Sequence, residues 1–309
     1  MKKLIVVLLL GAFSIGNAQI ASPKVFEFPF KVQVYDLPTS ENGINYRIYV
    51  RPPLIAPEEG EKASSFYFLD PLRLFVPSSA MTSNFEYFNY HPAAYFIGVG
   101  YQNETDGIPK ELNRIRDYTP TNFVPTENHF LANKATEYKD SGECDAFLEV
   151  LKGELIPFIE DNFEVSEDRV LIGKSMSGLA AVHSFLTRPN LFNRYIIISP
   201  SLWWDDWFKK RHERYVMRQL QNINLENYDK EVRVYFAVGE DEERFGLITD
   251  LYVLVNAINA MGSKNLKIHL DVLEGEQHEG VFPGAFMKGI VGIYTNEKNR
   301  RSSSSKVKW

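Results

Sequence analysis

Short apolar runs recur along the chain, and charged or turn residues separate them. Seven of these runs are rich in β-branched and aromatic residues, which favours buried β-strands. They are YRIYV (46–50), SFYFLD (65–70), AYFIGVGY (94–101), RVLIG (169–173), RYIIIS (194–199), VRVYFAVG (232–239) and KIHLDVLEG (267–275). No Gly/Ser-rich or Pro-rich linker interrupts the middle of the chain, so the pattern predicts one domain over residues 19–298.

Helical periodicity separates the later strands. The segment DAFLEVLKGELIPFIEDNF (145–163) has apolar side chains on one helix face, and Pro157 predicts a kink or a break within it. GLAAVHSFLTRP (178–189) and LITDLYVLVNAINAMG (247–262) predict two more helices, the second of which ends at Gly262. Strands that alternate with helices predict a three-layer α/β sandwich with a mostly parallel central sheet. Ligands of such sheets bind at the carboxyl ends of the strands.

The two ends of the chain differ in composition from the predicted domain. Residues 1–18 begin with a basic head and continue into a short apolar run that ends in small residues, which is typical of a cleaved secretory signal. This predicts cleavage near Ala18, a mature start at Gln19 and a periplasmic or secreted protein; an uncleaved membrane anchor is the alternative. RRSSSSKVKW closes the chain, so residues 299–309 are predicted to form a flexible tail.

Charge and cysteine content narrow the classes of partner. The formal net charge is -6 and no basic stripe is present, which argues against nucleic acid as a partner. Cys144 is the only cysteine, so the chain cannot form an internal disulfide, and the Cys and His spacing fits no zinc site. We predict no cofactor, no bound metal and no membrane contact after signal cleavage; the oligomeric state is left open.

The segment VLIGKSMSGLAA (170–181) combines an apolar strand, a glycine, a serine and a run of small residues. A phosphate-binding loop would need a glycine where Asp168 stands, in a flexible loop rather than in a strand. A nucleophile elbow, G-x-S-x-G, needs small residues two before and two after the serine, and here they are Gly173 and Ser177. The pattern favours Ser175 as a nucleophile over an ordinary turn serine, and both interpretations stay open at this stage.

Two downstream segments carry the side chains that a serine nucleophile needs. A serine hydroxyl reacts at neutral pH only when a histidine accepts its proton and a carboxylate orients that histidine. The strand 232–239 ends in an acidic run, and the strand 267–275 is followed by a loop that contains His278. Both lie after the serine in the order acid, then histidine. The candidate acids are Glu240, Asp241 and Glu242.

The sequence resembles the esterase branch of the α/β-hydrolases, which includes siderophore esterases, feruloyl esterases and related carboxylesterases. The blocks that carry the resemblance are FYFLDPLRLF, RIRDYTPTNF, the run from FLEVLKGEL to SPSLWW (147–204), and VGEDEE followed by GEQHEGVFP. The resemblance implies an α/β-hydrolase fold, Ser175 as nucleophile and His278 as base. It places the acid at Glu242, three residues after Gly239, with Asp241 in reserve.

This chain departs from the family pattern at two positions. The family usually has glycine where Ser177 stands, so the hydroxymethyl group is expected to crowd the elbow. The family often has Asp-Gly where this chain has Asp70-Pro71, and proline has no N–H to donate to an oxyanion. We therefore expect the oxyanion donors to be the backbone N–H groups of Met176 and Leu72.

Other residues are candidates for substrate binding. Trp203 and Trp204, with the aromatic loop NFEYFNYH (84–91), either wall a pocket for an aryl ester or pack in the core. Arg116, implied by the resemblance to lie near the site, either holds an anionic substrate group or pairs with Asp117.

These observations predict a secreted serine carboxylesterase that works through an acyl-enzyme. Its substrate would be a small-molecule or oligomeric ester of the aryl, siderophore or carbohydrate-linked type. A non-catalytic binding protein on the same scaffold and an acyltransferase remain alternatives, because fold and triad do not fix the function.

Overall fold

A computed structural model describes residues 30–103, 107–127, 132–205 and 209–294 of the chain. The predicted signal peptide (1–18) and flexible tail (299–309) lie outside the described residues, as do the first residues of the predicted domain. None of the helices within the described ranges is both long enough and apolar enough to cross a membrane.

One eight-stranded sheet forms the centre of the structure. Its strands are β1 (Gln33–Asp36), β2 (Tyr46–Arg51), β3 (Ala63–Leu69), β4 (Ala94–Tyr101), β5 (Val165–Lys174), β6 (Arg194–Ile198), β7 (Val232–Gly239) and β8 (Leu266–Leu273). They are ordered β1-β2-β4-β3-β5-β6-β7-β8. β2 pairs antiparallel with β1 and with β4, and the six strands β3 to β8 are parallel to one another. The predicted mostly parallel sheet is confirmed.

Helices cover both faces of the sheet, which gives the predicted three layers. They are α1 (Phe75–Met81), α2 (Ser83–Tyr87), α3 (Gly107–Tyr118), α4 (Ala135–Tyr138), α5 (Cys144–Val150), α6 (Ile156–Asn162), α7 (Met176–Thr187), α8 (Tyr215–Gln219), α9 (Leu247–Met261) and α10 (Val281–Tyr294). α3 and α5 to α9 pack on one face, and α1 and α10 pack on the other. Alternate residues of β5 enter the two cores: Leu171 packs under α7, whereas Val170 and Ile172 pack under α10.

The predicted helix over 145–163 is divided into α5 and α6 by a π-helical turn over Leu151–Leu155. Pro157 lies in the first turn of α6, and its ring cannot fit against the carbonyl group four residues earlier, at Gly153. The wider turn therefore falls immediately before the proline. α9 ends as predicted, because Gly262 adopts the left-handed conformation at its carboxyl end.

Candidate active site

Ser175 stands at the sharp turn between β5 and α7, at the carboxyl edge of the parallel strands. Its backbone has φ 60° and ψ -118°, a conformation that costs a non-glycine residue about 1–3 kcal/mol. Three backbone hydrogen bonds hold it there: the Ser175 N–H donates to Ile198 O at 3.0 Å, and Leu179 N–H and Ser201 N–H each donate to Ser175 O at 3.0 Å. The surrounding structure thus imposes the strained turn, and the side chain projects from the amino end of α7.

The turn is tight because strand and helix nearly touch at Gly173. A Cβ atom at Gly173 would lie 2.3 Å from the Ser177 carbonyl oxygen, closer than any side chain tolerates. The expected crowding by the Ser177 hydroxymethyl group does not occur, since its side chain turns back onto the strand. Its Oγ accepts from the Lys174 N–H at 3.0 Å and donates to Lys174 O at 2.9 Å. Ser177 therefore stabilises the turn through these two hydrogen bonds and does not push the strand and the helix apart.

Glu242 lies just beyond the end of β7, fully buried, with each carboxylate oxygen in use. Oε1 accepts from the Gly239 N–H at 2.8 Å and from the Ser199 hydroxyl at 2.6 Å. Oε2 lies 2.6 Å from His278 Nδ1. Burial acts to raise the pKa of Glu242, but the hydrogen bonds from His278, Ser199 and Gly239 outweigh it and lower that pKa. The carboxylate is ionised at neutral pH, so Nδ1 is the donor in the contact with His278.

Sequence reasoning did not identify Ser199 as a partner of Glu242. The residue follows β6, the strand between those that carry Ser175 and Glu242, and it has a positive φ of 45°. A polar residue at a strand end beside two candidate site residues was the available signal. The contact with Glu242 depends on the direction of the Ser199 side chain, which the unusual backbone conformation sets and the sequence does not show.

His278 lies in the loop between β8 and α10. This loop contacts the acidic run after β7 on one side and the end of β5 on the other. In the acidic run, the Asp241 N–H donates to Glu276 O at 3.2 Å. Toward the elbow, Lys174 Nζ lies 3.8 Å from a carboxylate oxygen of Glu279. The segments that carry Ser175, Glu242 and His278 therefore meet at one edge of the sheet. About a third of the His278 side chain is exposed, so the imidazole is open to solvent.

The other two acids of the acidic run contact different partners. Asp241, the reserve candidate, accepts from the Gln277 side-chain amide at 3.3 Å. Glu240 accepts from the Gly275 N–H at 3.0 Å. Both carboxylates brace the histidine loop, whereas Glu242 contacts the imidazole itself. Within the described ranges, no group of three or more His, Cys, Asp or Glu side chains is arranged to hold a metal ion.

The turn that follows β3 presents one free backbone donor. Arg73 N–H and Leu74 N–H both donate to Asp70 O, at 2.9 Å and 3.0 Å, and Pro71 has no N–H. The Leu72 N–H is left without an acceptor among the described residues. The Met176 N–H, in the first turn of α7, is likewise unpaired within the described part of the chain, as helix geometry requires.

Arg114, which sequence reasoning missed, braces this turn. Its guanidinium binds both carboxylate oxygens of Asp70, and both side chains are buried. Arg116, the predicted substrate contact, is instead engaged by Asp117 through Nε at 2.7 Å and Nη2 at 3.0 Å. Its Nη1 donates to Asn113 at 2.8 Å. The structure therefore shows the pairing with Asp117 that the sequence left as an alternative.

The two tryptophans predicted to bind substrate differ in exposure. Trp204 is 0% exposed, its indole N–H donates to Thr121, and its ring stacks on Tyr138 with a centroid distance of 5.7 Å. Trp204 is therefore a core residue rather than a pocket wall. Trp203 is partly buried and lies beside it, with ring centroids 6.1 Å apart.

The aromatic segment 84–91 does not lie near Ser175. Its first part is helical, in α2, and Phe88 and Tyr90 line a groove with Lys62 and Ala93. Those two residues immediately precede β3 and β4, so the groove lies at the amino ends of the parallel strands. Ser175 lies at the opposite edge. Of the two alternatives that the sequence left open for this segment, a pocket wall beside Ser175 is therefore excluded by the position of Phe88 and Tyr90.

Comparison with known proteins gives the family. A family model described as "Putative esterase" matches residues 106–289, more than half of the chain. The ferri-bacillibactin esterase BesA of Bacillus subtilis (strain 168) is 24% identical over 196 residues, which cover 62% of this chain and 63% of that protein. The siderophore enterobactin esterase of Emericella nidulans is 30% identical over 173 residues, 52% of this chain and 55% of that protein. Both alignments span less than two thirds of the relative.

Solved structures show the same fold. The BES protein from Bacillus cereus superimposes with a TM-score of 0.73 at 24% identity, over 91% of this chain and 100% of that chain. This likeness confirms the predicted α/β-hydrolase fold. With the match of the family model over the segment that carries the elbow, the acid and the histidine loop, it leads to one conclusion: the chain belongs to this esterase family.

Proposed function

We propose that this protein is an exported serine esterase that hydrolyses siderophore esters, with Ser175, His278 and Glu242 as its catalytic triad. The observation that carries the proposal is the 2.6 Å contact between Glu242 and His278. The loop that contains His278 also contacts Lys174, the residue before Ser175 in the strained turn. A buried carboxylate, an accessible imidazole and a serine at a helix start are the three groups that acyl transfer requires.

In the first half of the reaction the Ser175 hydroxyl attacks the ester carbonyl. His278 Nε2 accepts the hydroxyl proton while Oγ forms a bond to the carbonyl carbon. The ionised Glu242 keeps the other imidazole proton on Nδ1, so that Nε2 has its lone pair free, and it stabilises the imidazolium that results. The ester C–O bond then breaks, and the imidazolium gives its proton to the departing alkoxide.

The negative charge on the carbonyl oxygen needs donors during this step. We assign this role to the N–H groups of Met176, directly after Ser175, and of Leu72, in the turn that follows the neighbouring strand β3. The amino end of the twelve-residue α7 adds a favourable dipole. Asp70 and Arg114 act through Leu72, because their buried ion pair fixes the turn that presents its N–H.

The second half releases the acid. Water gives a proton to His278 Nε2 and attacks the acyl carbon, and the bond to Ser175 Oγ breaks as the serine regains its proton. The names of the two relatives supply the substrate class, siderophore esters. The signal-like residues 1–18 support export.

Hydrolysis of a siderophore tests the proposal directly. Purified protein is incubated with enterobactin or with triacetylfusarinine C, and the products are followed by mass spectrometry. We expect linear and then shorter products, each gaining one water per ester cleaved, and no products with Ser175→Ala. Intact substrate after long incubation with the wild type contradicts the siderophore assignment, and full activity in Ser175→Ala contradicts the triad.

A further inference from the structure

The residue immediately before Ser175 is a lysine whose side chain is largely buried. Lys174 ends β5, and the side-chain alternation of the strand directs it to the face that α1 and α10 cover. Only 12% of the side chain is exposed. A charged ammonium in such a position is costly unless a partner of opposite charge accompanies it.

The partner that Lys174 has is a poor one. Its ammonium makes an ion pair with Glu279 at 3.8 Å, which is too long for a hydrogen bond, and the Glu279 side chain is 93% exposed. Across the described residues Lys174 Nζ donates no hydrogen bond. Burial lowers the pKa of Lys174, and the attraction of Glu279 and Glu242 offsets it only in part. The amine therefore has no acceptor at hydrogen-bond distance among the described residues.

The remaining carboxylates near Lys174 are already engaged. Asp70 binds the guanidinium of Arg114 through both oxygens, and Glu242 accepts three hydrogen bonds. Arg73, in the turn after β3, is close enough to depress the pKa of Lys174, and its own Nη2 donates to Glu111 at 2.9 Å. Lys174 is therefore left, among the described residues, without an acceptor at hydrogen-bond distance, directly beside the nucleophile.

We propose that Lys174, assisted by Arg73, binds a negatively charged group of the substrate, so that this esterase selects esters with an anionic group close to the scissile bond. The inference rests on the proposed serine esterase activity and adds the charge of the substrate to it. A carboxylate, phenolate or catecholate oxygen supplies the acceptor that Lys174 lacks. An ion pair formed at this low-dielectric corner contributes more than one in open water.

Two pairs of matched esters measure this selectivity. The first pair is 4-acetoxybenzoate and 4-acetoxybenzamide, which differ in charge on the alcohol side of the ester. The second is mono-4-nitrophenyl adipate and 4-nitrophenyl hexanoate, which differ in charge on the acyl side. The readout is the ratio of kcat/KM for the anionic ester to that for the neutral one. Any effect of a substitution on the chemistry of Ser175 alters both esters and cancels in the ratio.

We expect Lys174→Gln to lower this ratio by about tenfold or more in at least one pair, because a charge-assisted hydrogen bond is lost. Lys174→Arg, which keeps the charge, should retain most of the ratio. Lys152→Gln, at an exposed lysine on the π-helical turn, is the matched surface control and should leave it unchanged. In the wild type, added NaCl should lower kcat/KM more steeply for the anionic ester than for the neutral one.

Glu279→Gln separates substrate binding from a purely structural role of Lys174. If Lys174 only anchors the histidine loop through Glu279, this variant will lower kcat/KM for both esters and leave the ratio unchanged. If Lys174 binds the substrate anion, removal of a competing carboxylate will raise the ratio. An unchanged ratio in Lys174→Gln for both pairs overturns the inference while the esterase activity stands. Failure of the wild type to hydrolyse any of the four esters, together with intact siderophore in the assay described above, contradicts the proposed function itself.

Discussion

Replacement of Glu242 by glutamine tests the assignment of the triad acid, because the amide has nearly the same shape but cannot accept at both ends. In one orientation the amide oxygen keeps the hydrogen bonds from Gly239 and Ser199, and the NH₂ group faces His278 Nδ1. Nδ1 must then be the acceptor, which places the imidazole proton on Nε2. In that tautomer His278 cannot accept the Ser175 proton.

The other amide orientation is disfavoured by its contacts. It would turn the NH₂ group toward the Gly239 N–H, so that two donors meet in a buried site, at a cost of about 1–3 kcal/mol. The unproductive tautomer therefore dominates. The equivalent amide substitution in a serine protease lowers turnover about 10⁴-fold. We expect Glu242→Gln to lower kcat by about 10³-fold, since a small fraction in the second orientation retains activity.

The assay is kcat for 4-nitrophenyl acetate, with circular dichroism and thermal unfolding to show that the variant folds. Asp241→Asn is the matched control: it removes a neighbouring charge, but its carboxylate contacts Gln277 rather than His278. That variant should stay within about threefold of the wild type. A folded Glu242→Gln protein with near wild-type kcat, or a larger loss at Asp241, would refute the assignment.

Three further predictions concern packing and pH. Gly173→Ala should destabilise the fold by about 1–3 kcal/mol or more in chemical denaturation, because its Cβ meets the Ser177 backbone at 2.3 Å; Gly153→Ala, where a Cβ meets nothing within 4 Å, should not. Trp204→Ala should cost about 3–5 kcal/mol, and Trp203→Ala clearly less, since only Trp204 is fully buried. The pKa of Glu242 is lowered from 4.5, so its contribution to stability is complete above that pH and is lost as the pH falls through the lowered value. The difference in unfolding free energy between the wild type and Glu242→Gln should therefore shrink below pH 4.5.

The strands and the approximate site could be predicted because their signals are local. The runs that became β2 to β8 are apolar, rich in β-branched residues and bounded by turns, and the structure contains each of them within a few residues. β1 was missed because three of its four residues are exposed, so it has no apolar run to mark it. The order serine, acid, histidine along the chain placed all three residues at strand ends of the same edge.

Contacts between distant side chains could not be predicted in the same way. Arg114 and Arg116 are two residues apart on α3, so they project about 200° apart around the helix, and only one can face the turn after β3. The sequence does not reveal which face that is. Trp203 and Trp204 are adjacent, and the depth of each ring depends on Thr121 and Tyr138, which lie far along the chain. Burial of this kind is a property of the assembled layers.

Covalent labelling with diisopropyl fluorophosphate tests most directly whether Ser175 is an activated nucleophile. The reagent phosphorylates a serine only where a base activates it and where donors stabilise the developing charge on oxygen. We expect one diisopropylphosphoryl adduct per chain, mapped by peptide mass spectrometry to Ser175, absent from Ser175→Ala and formed far more slowly in His278→Ala. An unlabelled wild type, or an adduct on Ser177 or on another residue with Ser175 unmodified, would contradict the account.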